Sequence, residues 1–534
     1  MIITAKRSVV SLFIFVLLSA SIVLRIAYIS DSMYSEADSQ TSTRLLTVGQ
    51  TRGMIYDRNM QPLVNREMHT MLVVNPTADA MDTLKTQLTD EDYLKASSLA
   101  ENGKPFVFQC DFYSGDCDDI KDVIVYDRYC ENDSAVHLIG YIDSEGNGVC
   151  GIEKAFDSLL KENSGTFSVR YKSDATGKML RGISFENVND NYDSRGGIVL
   201  TIDSEIQRVC ENAMEWNNLE KGAVVVLDAK TSEILALASA PSYDRNNLSS
   251  ALTDENLPFF NRALGAYSVG SVFKPVVSVA ALEKGLGTDT VYDCPGYESV
   301  SGVKFNCHNR AGHGGCDMSD AMSVSCNSYF INLGQAVGAD AIISVAESLG
   351  FGKEITLCDS LVSAGGNLSS AENIDSLPSL ANLSFGQGDL LATPLQIAAV
   401  YCAFANGGYY REPYVLKNIV DEKGGIVAYY KNEINNKVIT DDVCRKINGM
   451  LSETVEQGSG KLASPMNSSA AGKTATAETG QTVDGQKIVH TWFAGFYPAE
   501  NPEYVIVVFR EDGDSSAVDC APVFRDIADA VSGK

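Results

Sequence analysis

The chain has 534 residues and a formal net charge of −27. That length exceeds one domain of usual size and implies two or three. The charge argues against nucleic acid as a partner and reads as a solvated acidic surface. Hydrophobic residues make up 45%, ordinary for a globular protein. The 13 cysteines are odd in number and include no C-x-x-C, so they point to buried thiols or disulfides more than to metal ligands.

Taken in order, Lys6-Arg7 precede an uncharged apolar run from Ser8 to Leu24, which Arg25 and Ile26-Ala27-Tyr28-Ile29 follow. The run is at the short end for a membrane span, and Arg25 can snorkel to lengthen it. No A-x-A cleavage site follows, so residues 1–30 are expected to be an uncleaved anchor. The basic residues before the span predict a cytoplasmic N-terminus and an extracytoplasmic remainder. Residues 31–50 read as a polar linker, and Thr51 to Asn59 as a strand-turn signal. From about 60 to 195 short strands and helices mix, with an exposed helix expected from Asp82 to Ala96 and a Cys-rich irregular stretch over 101–135. His137–Tyr141 and Gly151–Phe156 are compact turn-plus-helix signals, and a structural role is expected for the whole segment.

A boundary is expected near Gly196-Gly197. Beyond it, Ile198–Ile202 reads as a strand and Asp203 as the cap of a helix. Ala223–Asp228 and Glu233–Ala238 read as a hairpin across the turn at 230–232. Strands return near 488–497 and 504–510, and a last helix runs from Val523 to Val531. The pattern predicts an α+β fold with a central antiparallel sheet flanked by helices.

Three short motifs lie in this second part. Ser271 and Lys274 form S-x-x-K ahead of an apolar run that closes with Lys284-Gly285, a helix ending in a C′-type glycine. Ser271 is therefore expected at a helix N-terminus, with Lys274 one turn on. The pattern alone is weak, since Ser158 with Lys161 and Ser301 with Lys304 also fit. Ser325-Cys326-Asn327 then opens a second helical run, and Lys473-Thr474-Ala475-Thr476 begins a strand. Acyl transfer needs a nucleophile, a base, an oxyanion hole and a substrate clamp. Ser271 offers the hydroxyl and Lys274 the amine base once its pKa is lowered. Lys473 offers a second cation, Ser325 a proton relay, Asn327 an amide for Lys274 or substrate, and Thr474 a hydroxyl for a carboxylate. The N–H groups of Ser271 and Thr476 would form the oxyanion hole, and the strand edge at 474–477 could pair with an extended peptide.

The ordered set S-x-x-K, S-x-N, K-T-x resembles that of penicillin-binding proteins, and the chain as a whole resembles the class B members, monofunctional peptidoglycan D,D-transpeptidases. Besides the anchor, Arg52–Asn59 and Gly151-Ile152-Glu153 resemble motifs of the family's pedestal domain. Asn261-Arg262-Ala263-Leu264, Phe385-Gly386-Gln387-Gly388 and Thr393-Pro394-Leu395-Gln396 resemble further family motifs. The resemblance implies an anchor (1–30), a pedestal (31–195) and a penicillin-binding, serine β-lactamase-like transpeptidase domain (196–534). It implies Ser271 as the acylated nucleophile, Lys274 as base, Ser325 and Asn327 as the second motif, Lys473 and Thr474 as the third. It also implies stem peptides and β-lactams as ligands, a lipid bilayer, and a membrane glycan polymerase as partner, since 31–195 shows no glycosyltransferase pattern and no C-terminal repeat module is seen. The family's third motif usually reads K-T-G; Ala475 replaces the glycine, and its methyl is expected to narrow the substrate face.

No cofactor is implied for the reaction. Cys294, Cys307, His313 and Cys316 leave two readings open, a Cys294–Cys307 disulfide or free thiols, and a structural zinc site. Rival functions are a D,D-carboxypeptidase, a β-lactamase, and a non-catalytic scaffold of wall synthesis. The pedestal argues against the first two, and the intact motif residues argue against the last.

Overall fold

The computed structural model describes residues 2–40, 42–110, 113–374, 376–431, 436–483 and 485–532. It forms two compact units. One comprises the chain up to Arg52 with Asn65–Arg128 and Ser164–Ser194; the other comprises Gly53–Val64, Tyr129–Asn163 and the chain from Arg195 onward.

The first unit begins with a helix, Ile2–Gln40. Its Val9–Ile29 stretch is exposed throughout and is long and apolar enough to cross a membrane. Part of the expected linker is a strand: Ser42–Thr51 pairs antiparallel with Gly165–Ser173, which pairs with Glu186–Asp190. A second antiparallel sheet places Glu67–Val74 between Phe106–Cys110 and Ile120–Asp127. The stretch expected to be irregular thus supplies two strands. Alternation divides their side chains: Leu72 and Val74 pack with Leu84, Ala96 and Phe106, while Val73, Val123 and Val125 pack with Val48 and Val169. The helix expected over 82–96 is two, Ala78–Gln87 and Asp90–Ala100. Leu88 is extended, and the Thr89 hydroxyl caps the second helix by accepting from Asp92 N–H.

The second unit is built on a five-stranded antiparallel sheet. Its strands are β1 (Gly222–Asp228), β2 (Ile234–Ala240), β3 (Ala471–Val483), β4 (Gln486–Tyr497) and β5 (Tyr504–Gly513), in the order β2-β1-β5-β4-β3. Antiparallel strands usually alternate polar and apolar residues, but β1 and β5 read as continuous apolar runs because both faces are covered. Ala223, Val225, Leu227, Val505, Val507 and Phe509 face one core; Val224, Val226, Ile506 and Val508 face the other. Each buried Val, Leu, Ile or Phe among them contributes roughly 1.5–3 kcal/mol relative to exposure.

Helices Ser204–Trp216 and Ala521–Val531 cover the second core. The former is capped by Asp203, whose carboxylate accepts from Glu205 and Ile206 N–H. The first core is filled by α1 (Lys274–Glu283), α2 (Met318–Ser323), α3 (Asn327–Val337), α4 (Leu377–Ser384), α5 (Pro394–Ala405) and α6 (Asp441–Glu456). Helix α5 is buried almost all round, and a reciprocal Thr393–Gln396 capping box fixes its start. Two stretches expected in the pedestal fold here: Met54–Tyr56 pairs parallel with Gly197–Leu200, and Gly151–Ala155 is a short helix with Ile152 and Glu153 buried.

Candidate active site

Ser271 lies in a 3-10 turn, Gly270–Phe273, that runs directly into α1, so Lys274 begins the α-helix. The turn is wedged against β3. Gly270 has φ +65°, and a Cβ there would meet those of Ala477 at 3.1 Å and Ala475 at 3.4 Å. Its N–H donates to Gly386 O at 2.8 Å. Gly386 is as constrained, because a Cβ on it would fall 1.9 Å from Gly270 O. These two glycines therefore seat the nucleophile turn, and Gly386 belongs to a motif read from the sequence.

Lys274 is fully buried. Its Nζ donates to Ser325 O at 2.8 Å, Ser325 Oγ at 3.1 Å and Asn327 Oδ1 at 2.9 Å. Ser325 Oγ donates in turn to Ser271 Oγ at 3.1 Å. The path from nucleophile to amine thus runs through Ser325. Ser325 itself sits at φ +55°, an uncommon conformation for serine that turns its hydroxyl and carbonyl toward Lys274. Burial pulls the Lys274 pKa from 10.5 down to about 8, against the opposing pull of the Cys326 and Cys307 thiols.

Lys473 is also fully buried, and its Nζ donates to Thr474 O at 3.1 Å. Burial first, and then the charge of Lys274, hold its pKa well below the ordinary lysine range. The two amines share this buried floor, and the charge of Lys274 disfavours protonation of Lys473; the second cation expected to lower Lys274 is itself held toward neutrality, and burial lowers Lys274 instead.

The rest of the third motif divides between floor and cleft. Thr476 is exposed, lines the cleft beside Ser271 and Asn327, and donates to Ser516 Oγ at 3.3 Å. Thr474 is 5% exposed, and its hydroxyl lies 2.9 Å from Ser459 Oγ. Ala475 is 2% exposed with its Cβ turned toward Gly270. The expected narrowing of the substrate face does not occur: the methyl fills space behind the nucleophile turn. The cleft encloses about 460 Å³. The other S-x-x-K matches lie elsewhere, Ser158 with Lys161 in helix Asp157–Glu162 and Ser301 with Lys304 at the hairpin Tyr297–Asn306.

Sequence reading missed Ser459. Its N–H donates to Ser323 O at 3.0 Å while its hydroxyl meets Thr474, so it joins the end of α2 to β3. A serine between two glycines after α6 carries no signal for that contact.

A thiol cluster adjoins the second motif. The Sγ atoms of Cys294, Cys307 and Cys326 and a ring nitrogen of His313 all lie within 4.8 Å of one another. His313 Nδ1 is 3.5 Å from Cys294 Sγ and 3.6 Å from Cys307 Sγ. All 13 cysteines are free thiols, so Cys294 and Cys307 are not joined. Cys316, expected as the fourth member, is replaced by Cys326. In the strand pair Tyr292–Cys294 with Gly314–Cys316, Cys316 sits opposite Tyr292, two residues from Cys294 along the strand. That offset is about 7 Å, whereas the turn into α3 brings Cys326 inside the cluster. The hydrogen bond between Cys326 and Cys307 pulls the Cys307 pKa down and pushes that of Cys326 up. Three thiols and an imidazole fit a tetrahedral Cys₃His donor set, whose sulfur–nitrogen edges are about 3.5 Å. Asn327 N–H donates to Cys307 Sγ at 3.4 Å, which ties the cluster to the second motif.

Comparison with known proteins gives the same frame. Residues 222–529 match the model of the penicillin-binding-protein transpeptidase domain. Stage V sporulation protein D of Bacillus subtilis is 30% identical over 388 residues, 70% of this chain and 58% of that protein. The peptidoglycan D,D-transpeptidase MrdA of Acinetobacter baumannii is 27% identical over 574 residues, 94% of this chain and 84% of its own length. Among solved structures, the D,D-transpeptidase domain of a peptidoglycan glycosyltransferase from Eggerthella lenta has a TM-score of 0.66 at 24% identity, covering 90% of this chain and 97% of that one. Penicillin-binding protein 3 of Mycobacterium tuberculosis, in complex with aztreonam, has a TM-score of 0.64 at 24% identity, covering 91% and 96%. With more than half of its length inside the family model, the chain belongs to the class B penicillin-binding proteins.

Proposed function

We propose that this protein is a membrane-anchored peptidoglycan D,D-transpeptidase working through a Ser271 acyl-enzyme. The observation that carries the reading is the continuous path Ser271–Ser325–Lys274, with its amine pulled toward neutrality by burial. Ser271 Oγ attacks the carbonyl of the penultimate D-Ala of a stem peptide. Its proton passes through Ser325 to neutral Lys274, and the N–H groups of Ser271 and Thr476 hold the oxyanion. The C–N bond to the terminal D-Ala breaks as its amine takes the proton back by the same route. An amine of a neighbouring stem then attacks the ester carbonyl, the ester C–O bond breaks, and the amine's surplus proton passes by the Lys274–Ser325 path to the departing Ser271 Oγ. Asn327 holds Lys274 in place, and Lys473 forms the buried floor beside it, held toward neutrality by burial and by the charge of Lys274. Thr474, Ala475 and Thr476 supply the strand against which the donor lies, with Thr476 in the cleft and Thr474 set by Ser459.

The same reading divides the chain into anchor (1–30), pedestal (31–195) and transpeptidase domain (196–534), with Gly53–Val64 and Tyr129–Asn163 of the pedestal stretch folding in the second unit. It puts the N-terminus in the cytoplasm and the catalytic domain outside, beside a membrane glycan polymerase. Cys294, Cys307, His313 and Cys326 would hold a structural zinc ion, which would brace the wall of the cleft and the turn carrying Asn327; acyl transfer itself uses the protein's own groups. Metal analysis of chelator-free protein should return one zinc per chain, lost in Cys307→Ser; its absence would leave the cluster as free thiols.

The deciding experiment is labelling of the detergent-solubilised full chain with a fluorescent penicillin, followed by peptide mass spectrometry. A stable adduct on Ser271, absent from Ser271→Ala, is expected. A folded protein that forms no adduct and leaves D-Ala-D-Ala peptides untouched would turn the reading to a non-catalytic scaffold. Rapid release of the adduct to water would point to a β-lactamase, and hydrolysis of peptides without transfer to a D,D-carboxypeptidase.

A further inference from the structure

The wall of the cleft across from β3 is basic, in a chain whose formal net charge is −27. It is formed by the end of one hairpin strand, Val303–Asn306, and the loop that follows. Residues 303–316 contain Lys304, His308, Arg310 and His313 and no carboxylate, in a chain with 69 acidic residues. Lys304, His308 and Arg310 all line the cleft. Among the described residues that line the cleft, the one carboxylate is Glu478 on β3, and it is bound to Lys487 at 2.7 Å.

The backbone of this wall is pinned. Cys307 N–H donates to Gly296 O at 3.0 Å, Asn327 Nδ2 to Asn306 O at 3.2 Å, and Asn309 Nδ2 to Gly312 O at 2.8 Å. Lys304 Nζ lies over the Tyr297 ring at 4.1 Å, and among the described residues neither Lys304 nor Arg310 has a carboxylate within ion-pair reach. Two exposed cations on a fixed wall, in a protein of strongly negative net charge, raise the local concentration of anions and orient them.

We infer that this wall selects donor peptides carrying a free carboxylate upstream of the cleaved D-alanyl bond, with Arg310 and Lys304 as its partners. The inference rests on the transpeptidase reading and adds the charge class of the donor to it. A third-position diamino acid that keeps a side-chain carboxylate has the required group; the same residue as its carboxamide, or a plain lysine, lacks it. Arg310 is the stronger determinant, since its planar fork can hold a carboxylate through two hydrogen bonds.

The test uses the full chain in detergent and two synthetic donors ending in D-Ala-D-Ala that differ only in carboxylate or carboxamide at that third residue. D-Ala release with a D-amino acid acceptor gives kcat/KM for each, and the readout is their ratio, so a general loss of folded protein cancels. Two exposed ion pairs should favour the carboxylate donor about three- to tenfold at low salt, less as salt screens them. Arg310→Gln and Lys304→Gln should each reduce the ratio, and the pair together should bring it to about one. Arg310→Glu should reverse it. A ratio near one in the unaltered protein, or one that survives the double substitution, overturns the inference alone. Absence of any Ser271 adduct, with peptide or with penicillin, overturns the transpeptidase reading and the inference with it.

Discussion

The sharpest prediction concerns pH and Lys274. If neutral Lys274 takes the Ser271 proton through Ser325, the acylation rate follows the neutral fraction of that amine. Burial sets its pKa at about 8 instead of the ordinary 10.5. At pH 7 about one molecule in ten then carries the neutral amine, against about three in ten thousand for an unshifted lysine, a gain of roughly 300-fold. Stopped-flow acylation by a fluorescent β-lactam, between pH 6 and 10, should rise about tenfold from pH 6 to 7 and level off above 8. Stability should move over a neighbouring window. Between about 8 and 10.5 the native state binds fewer protons at this site than the unfolded chain, so stability rises with pH across that interval, by about 3 kcal/mol for Lys274 alone. Below about 8 both states hold the proton and this contribution stays at its minimum. An acylation profile flat from pH 6 to 9, or one still climbing at 10, would refute Lys274 as the base. Lys274→Arg, which keeps a permanent charge, should lose acylation at every pH.

Three further substitutions probe the surrounding structure. Gly270→Ala forces a Cβ into the left-handed region against Ala477 and should cost about 1–2 kcal/mol in conformation alone; calorimetry should show the loss, and Ala477→Gly in the same chain should relieve the contact but not the dihedral cost. Ala475→Gly restores the glycine usual in the family, and because the methyl points away from the cleft, β-lactam acylation should change less than about threefold while stability falls by roughly 0.5–1 kcal/mol. A large gain in acylation would show that the methyl does obstruct the substrate. Asp133→Ala removes the partner of Arg245, a pair whose side chains are 3% and 1% exposed, and should destabilise the protein by about 3–5 kcal/mol in urea titration; a loss below 1 kcal/mol would mean that Arg245 finds other acceptors.

The chemistry and the broad layout are legible in short stretches of the chain. Ser271 and Lys274 are three apart because a helical turn must put hydroxyl and amine on one side, and that constraint is local. The same holds for the Asp203 cap, the 223–238 hairpin and the apolar anchor, each written in a few neighbouring residues. Where local signals competed, the reading slipped: Thr89 and the three acids after it start a new helix inside the one expected over 82–96, and strands of the 42–51 and 106–127 stretches gain their stability from partners up to 131 residues away. The remaining features come from tertiary packing. It routed Lys274 to Ser271 through Ser325, set Lys473 beside Lys274, joined Ser459 to Thr474, and turned the Ala475 methyl toward Gly270. It also exchanged Cys316 for Cys326 in the thiol cluster. Each of these depends on which way a side chain points once distant elements have packed, and strand register and helix entry angle fix that direction without leaving a trace in the local sequence.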